Sequence, residues 1–220
     1  DVGIMDSIMA GYYINNQYKD KLMIVPDLEL SKEYYGIAAR KDGAYTAKMI
    51  SYAIIELSKE GKVLEIAEKY GLEDSIAIDE NTVIDLSDTT GKSDYDAIIN
   101  SGELVIGYTI FAPIAYEENN ELIGFDIELA KAVCEKIGVK AKFQIINWNT
   151  KVFELNSKSI DVIWNGMTIT EDLQENTSIT IPYLKNTQVA VIRIEDSEKY
   201  KTIEDMDNAV IAVEAGSAGQ

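Results

Sequence analysis

The sequence predicts an α/β fold whose second half is wound on a parallel sheet. Three observations predict it. From Leu104 onward, short apolar runs alternate with stretches whose apolar residues recur at helical spacing. The helical stretches stop at Gly61, Gly71 and Gly138, the residue type that best adopts the left-handed conformation closing a helix. Apolar residues make up 46% and charged residues 26%, a balance able to bury a core.

In order, residues 1–5 (DVGIM) read as a buried strand ending in the polar pair Asp6 and Ser7. Residues 22–25 read as a second strand, stopped by Pro26, and residues 35–39 as a third. Residues 44–58 form a helix with Ala47, Ile50, Ile54 and Leu57 on one face, and residues 63–70 a second with Val63, Ile66, Ala67 and Tyr70. Residues 72–94 are polar and acidic and read as a linker. They include Thr-Thr-Gly-Lys-Ser, but a phosphate-binding loop needs glycine five positions before Gly91, where Leu86 stands. Strands follow at 104–107, 141–146, 160–164, 188–194 and 209–213, with helices at 126–137, 150–156 and 202–206.

Composition excludes several functions. A net charge of −18 repels phosphate backbones, so no nucleic-acid partner is expected. The chain has one cysteine, Cys134, and no histidine, which removes internal disulfides, CxxC redox chemistry and histidine-based acid–base catalysis. No metal, cofactor or catalytic residue is expected. No apolar run reaches the ~20 residues a membrane-spanning helix needs.

Ligands of open α/β sheets bind beyond the carboxyl ends of strands. Those ends present Asp6, then Tyr108 and Phe111, then Trp148, then Asn165, Gly166 and Thr168, and finally Gly216, Ser217 and Ala218. Each also has a plainer reading. Phe111 and Trp148 could be core aromatics, Asp6 could cap the helix that follows it, Ser217 could cap a helix, and Gly166 could serve a tight turn.

The stretch SGELVIGYTIFAP…GFDIELAKAV…WNGMTIT from Ser101 resembles the amino-terminal lobe of the bacterial amino-acid-binding proteins that feed ABC importers. DVGIMDSIMAGYY from Asp1 and YYGIAARKDG resemble the last third of the same family. The order is reversed, so the chain reads as circularly permuted, derived from a tandem repeat, or lacking a middle helix–strand–helix piece. The resemblance implies a two-lobed, type II periplasmic-binding-protein-like α/β fold with a hinge and an interlobe cleft. Residues 35–71 plus 95–183 would form lobe one; residues 1–33 plus 188–220 would form an incomplete lobe two. Segments near 183–187 and 31–35 would be the hinge.

The implied function is capture of a small polar solute, an amino acid or related amine, by hinge closure for an ABC permease. The setting would be extracytoplasmic, as in a periplasmic or lipid-anchored surface protein. Carried over residue by residue, Phe111 and Trp148 would wall the solute, and Asn165, Gly166 and Thr168 would offer polar groups. Ser217 and Ala218 would open a helix holding a carboxylate, and Asp6 would neutralise an ammonium. The family's arginine after the GMTIT run is replaced by Leu173, which admits a cationic amine as competitor. Two alternatives stand beside this reading: a dehydratase-like enzyme on the same fold, and a binding scaffold or sensor component, completed in one version by swapping segments in a homodimer.

Overall fold

The computed structural model describes residues 1–219. In chain order the elements are β1 (Val2–Asp6), α1 (Ser7–Tyr13), β2 (Leu22–Arg40), α2 (Ala44–Lys59), α3 (Lys62–Tyr70), α4 (Lys92–Ser101) and β3 (Glu103–Tyr108). Then come β4 (Tyr116–Glu118), β5 (Glu121–Ile123), α5 (Phe125–Ile137), β6 (Lys140–Ile145), α6 (Lys151–Asn156), β7 (Val162–Thr168), α7 (Glu171–Asn176), β8 (Thr177–Ile179), β9 (Leu184–Arg193) and β10 (Ile211–Ala212). The chain divides into two compact units: residues 1–33 with 186–220, and residues 34–185. It passes from one to the other within β2 and returns within β9.

The first unit is set by strict alternation. β1 pairs parallel with β10 and antiparallel with β9. Val2, Val25, Ala190 and Ile192 are buried in one apolar cluster with Tyr200 and Met206, with Ile4 and Met23 against it. Their neighbours Met5, Leu22, Ile24, Val189 and Val191 pack in a second cluster with Ala10 of α1. Successive side chains of a strand point to opposite faces, so each strand feeds both clusters, and a one-residue slip would exchange them.

The second unit holds the parallel sheet. β3 pairs parallel with both β6 and β7, and β7 pairs antiparallel with β2, which also carries β8. α2 buries Ala47, Ile50, Ile54 and Leu57, and α5 buries Leu129, Ala130, Val133 and Cys134. Gly61, Gly71 and Gly138 take left-handed conformations at φ 77°, 67° and 82°, closing α2, α3 and α5. Residues 72–94 belong to this unit: Ala77 N–H donates to Tyr183 O, Lys48 pairs with Asp88 at 2.6 Å, and α4 begins at Lys92.

Pro26 does not stop its strand. β2 continues for 19 residues, because Pro26 is exposed and an extended backbone accommodates its ring; the irregularity falls on Asp27, at φ 58°. The third expected strand is therefore the far end of the second.

Arg40, at the end of β2, is buried. Its guanidinium donates to Asp94 of α4, to Asp161 ahead of β7, and to the carbonyls of Leu155 and Ile160. Asp161 in turn accepts from Val105 N–H of β3 at 2.9 Å. Removing one partner of a buried ion cluster strands the others, so Arg40→Ala should cost about 3–5 kcal/mol. Urea unfolding of the variant against wild type measures this; a loss below about 1 kcal/mol would contradict the role assigned to Arg40.

Candidate functional site

In the second unit the expected residues gather on β7 and on the segment after β3. The Phe111 backbone closes a tight loop with Ala115, its N–H donating to Ala115 O at 2.7 Å and its carbonyl accepting from Ala115 N–H at 2.8 Å. This loop seats the ring on Gly166: a Cβ at position 166 would lie 2.7 Å from a Phe111 ring carbon. Gly166 also has φ 58°, so both space and backbone require glycine here. Phe111 is 7% exposed and meets Tyr35 edge-on at 6.4 Å. Asn165, beside the turn, donates from Nδ2 to Thr109 Oγ1 at 2.7 Å, while its Oδ1 is buried without a hydrogen-bond partner. Thr168 stands opposite Tyr35 in the ladder between β7 and β2.

Trp148 belongs to an apolar cluster of the same unit. It packs against the cluster of Ile146, Leu155, Ile163, Met167 and Leu173. The Lys151 ammonium sits 4.6 Å from its ring centroid and donates to the Trp148 carbonyl. The cation slot of this indole is therefore already filled by the chain's own lysine. Leu173 is a core residue at 6% exposure. Arg40 is held in its internal cluster, and Arg193 pairs with Asp196 and Glu195.

Sequence reasoning missed Asp126. It is fully buried on the first turn of α5, where its Oδ2 accepts from Gly166 N–H at 2.7 Å and from Tyr183 O–H at 2.8 Å. Its Oδ1 has no partner, and Trp164 Nε1 lies close enough to favour the charged form without making a hydrogen bond. Burial pushes the Asp126 carboxyl up to about 7, opposed by Tyr183, the Gly166 N–H and Trp164. The Gly166 N–H is thus spent on Asp126.

In the first unit Asp6 occupies the N-cap position of α1, yet its side chain makes no capping bond. Asp6 Oδ1 accepts instead from Asn186 Nδ2 and from Gln188 Nε2, the latter at 3.1 Å. The same two amides donate to Glu33 Oε2 at 3.2 and 3.0 Å, so two carboxylates share one pair of buried donors. Gln188 also lines a hollow of about 450 Å³ with Ala218, Gly219, Ile4, Leu30 and Met206. Ser217 uses its hydroxyl locally, donating to Glu214 O at 2.8 Å. Through Gly219 the GSAG segment forms turns, and the helix expected to open there is not found among the described residues.

Residues 104–215 match the bacterial extracellular solute-binding proteins, family 3, and the chain belongs to that family. The probable amino-acid-binding protein YxeM of Bacillus subtilis is 32% identical over 106 residues, covering 48% of this chain and 39% of that protein. The ABC transporter arginine-binding protein 1 of Escherichia coli is 32% identical over 102 residues, covering 46% and 41%. Cyclohexadienyl dehydratase of Pseudomonas aeruginosa is 25% identical over 118 residues, covering 53% and 44%. The chain thus spans less than half the length of each of these relatives.

Two outcomes follow from the Gly166–Asp126 arrangement. Gly166→Ala forces a left-handed alanine against Phe111 and should cost about 1–3 kcal/mol; pairing it with Phe111→Ala should relieve the steric part, read by denaturant midpoints. For Asp126 the folded pKa lies above the ordinary value of about 4. The stability it contributes is complete below that value and is lost as pH rises through about 7. Melting temperature should therefore fall more steeply between pH 4 and 8 in wild type than in Asp126→Asn.

Proposed function

We propose that the chain takes part in reversible capture of a small amine-bearing solute, an amino acid or a related compound, for delivery to an ABC importer outside the cytoplasm. The observation that carries this reading is the Asp6 carboxylate. It is held at the end of a strand by two buried amides instead of being spent on the helix it precedes. The two amide donors fix the direction of this carboxylate, which is what recognition of an ammonium requires. The family and the amino-acid-binding and arginine-binding relatives support the same class of solute. In the second unit, Phe111, Asn165, Gly166 and Thr168 are the residues we assign to the solute. Trp148 would act through the lysine that covers it. A solute carboxylate would be met by Lys151 or by backbone N–H groups around Ser217 and Ala218, since position 173 is leucine within the core. Capture by hinge closure requires contacts made in one state and not in the other; small-angle scattering with and without solute tests it.

Thermal-shift screening against the twenty common L-amino acids, putrescine and agmatine should find at least one compound that stabilises the chain. Asp6→Asn should weaken that compound by about tenfold or more in calorimetry, the loss of one charge-assisted hydrogen bond. Near-normal affinity would remove Asp6 from the site.

The dehydratase reading gains one observation: Asp6 and Glu33 on common donors give the paired carboxylates that acid–base chemistry uses. NMR of the bound compound over hours decides. An unchanged spectrum favours capture, and conversion favours the enzyme.

A further inference from the structure

The geometry points to Asp126 as a positioning residue that holds the Gly166 turn in its solute-binding form. This inference rests on the capture reading above. One carboxylate oxygen takes both the Gly166 N–H, at 2.7 Å, and the Tyr183 O–H, at 2.8 Å. A trans peptide directs its N–H and C=O oppositely, so with the Gly166 N–H turned in to Asp126 the Asn165 carbonyl is turned away from it. The orientation of this peptide is therefore tied to its contact with Asp126. Phe111 rests on the same glycine, so any rotation of this peptide also unseats the ring.

Groups from several elements surround this contact. β7 contributes Trp164, whose indole N–H makes no hydrogen bond, and the loop after β3 contributes backbone, Asp126 N–H donating to Ile114 O. The segment before β9 contributes Tyr183, whose phenol is kept protonated by burial and by the carboxylate itself. β2 contributes Tyr35, its ring 6.5 Å from that of Tyr183. On α5 the next acid, Glu128, is engaged by Lys69 and Tyr70. The chain has no histidine, so the side chain that ordinarily titrates near neutrality is absent.

An ionised carboxylate is the stronger acceptor, so the turn is held best when Asp126 is charged. Burial makes that same charged form the less stable one for the fold. Affinity and stability must then run in opposite directions with pH, which a merely structural acid would not produce.

The experiment is calorimetric titration of the chain with L-arginine, L-histidine and putrescine at pH 6, 7 and 8, with melting temperatures measured in parallel. For whichever of the three binds, wild type should bind several-fold more tightly at pH 8 than at pH 6 while melting lower. Asp126→Asn should be weaker by about tenfold at pH 8 and lose the pH slope. Tyr183→Phe keeps the carboxylate but removes a donor to its charged form, so the midpoint of the affinity change should move to higher pH; it carries the test alone if Asp126→Asn does not fold. An unaltered slope in the variants, or affinity and melting temperature that fall together, overturns the assignment of Asp126 while leaving capture intact. Where none of the three binds, the compound found by thermal-shift screening of the twenty common L-amino acids, putrescine and agmatine takes their place; if that screen finds none, the capture reading falls, and this inference with it.

Discussion

The larger unit depends on one buried guanidinium. Arg40 terminates β2, and its donors reach α4, the end of α6 and the residue ahead of β7, while Asp161 passes the connection on to β3. A planar group with five donors can satisfy carboxylates and carbonyls from several elements at once, which a lysine ammonium cannot do with the same geometry. The parallel strands β3 and β7 are thereby fixed in register at their starts. Their opposite ends are left to carry Thr109, Phe111, Asn165 and Gly166. The donors of Arg40 are thus engaged within the scaffold.

Much of the architecture could be read because it is local. Helical spacing with glycine stops located α2, α3 and α5 to within one residue at their ends, since both signals sit inside the element they define. The sequence places β7 too early, over 160–164, because the polar Asn165, Gly166 and Thr168 look like a loop; they continue the strand through an irregularity opposite residues 36–38. The β4–β5 hairpin is absent from the sequence reading, although Asn119 and Asn120, both at positive φ, form the asparagine-rich turn such hairpins favour.

The site divides the same way. Asn165, Gly166 and Thr168 were found together because they are contiguous. Glu33, Asn186 and Gln188 escape the sequence reading, because each sits among other polar residues of an extended run and the two amides meet Asp6 and Glu33 across more than 150 residues of chain. Asp126 was hidden for another reason. An acid in the first turn of a helix is ordinarily explained by the helix dipole, and only the fold reveals that it faces inward to Gly166 and Tyr183.

The two tryptophans occupy contrasting settings: Trp164 is 1% exposed inside β7, whereas Trp148 is half-buried with an ammonium against its ring. The chain thus carries two optically separable indoles, one sealed from aqueous quenchers and one within their reach. Emission from the accessible indole reports on the loop after β6 without any label, and the sealed one serves as the internal reference for folding.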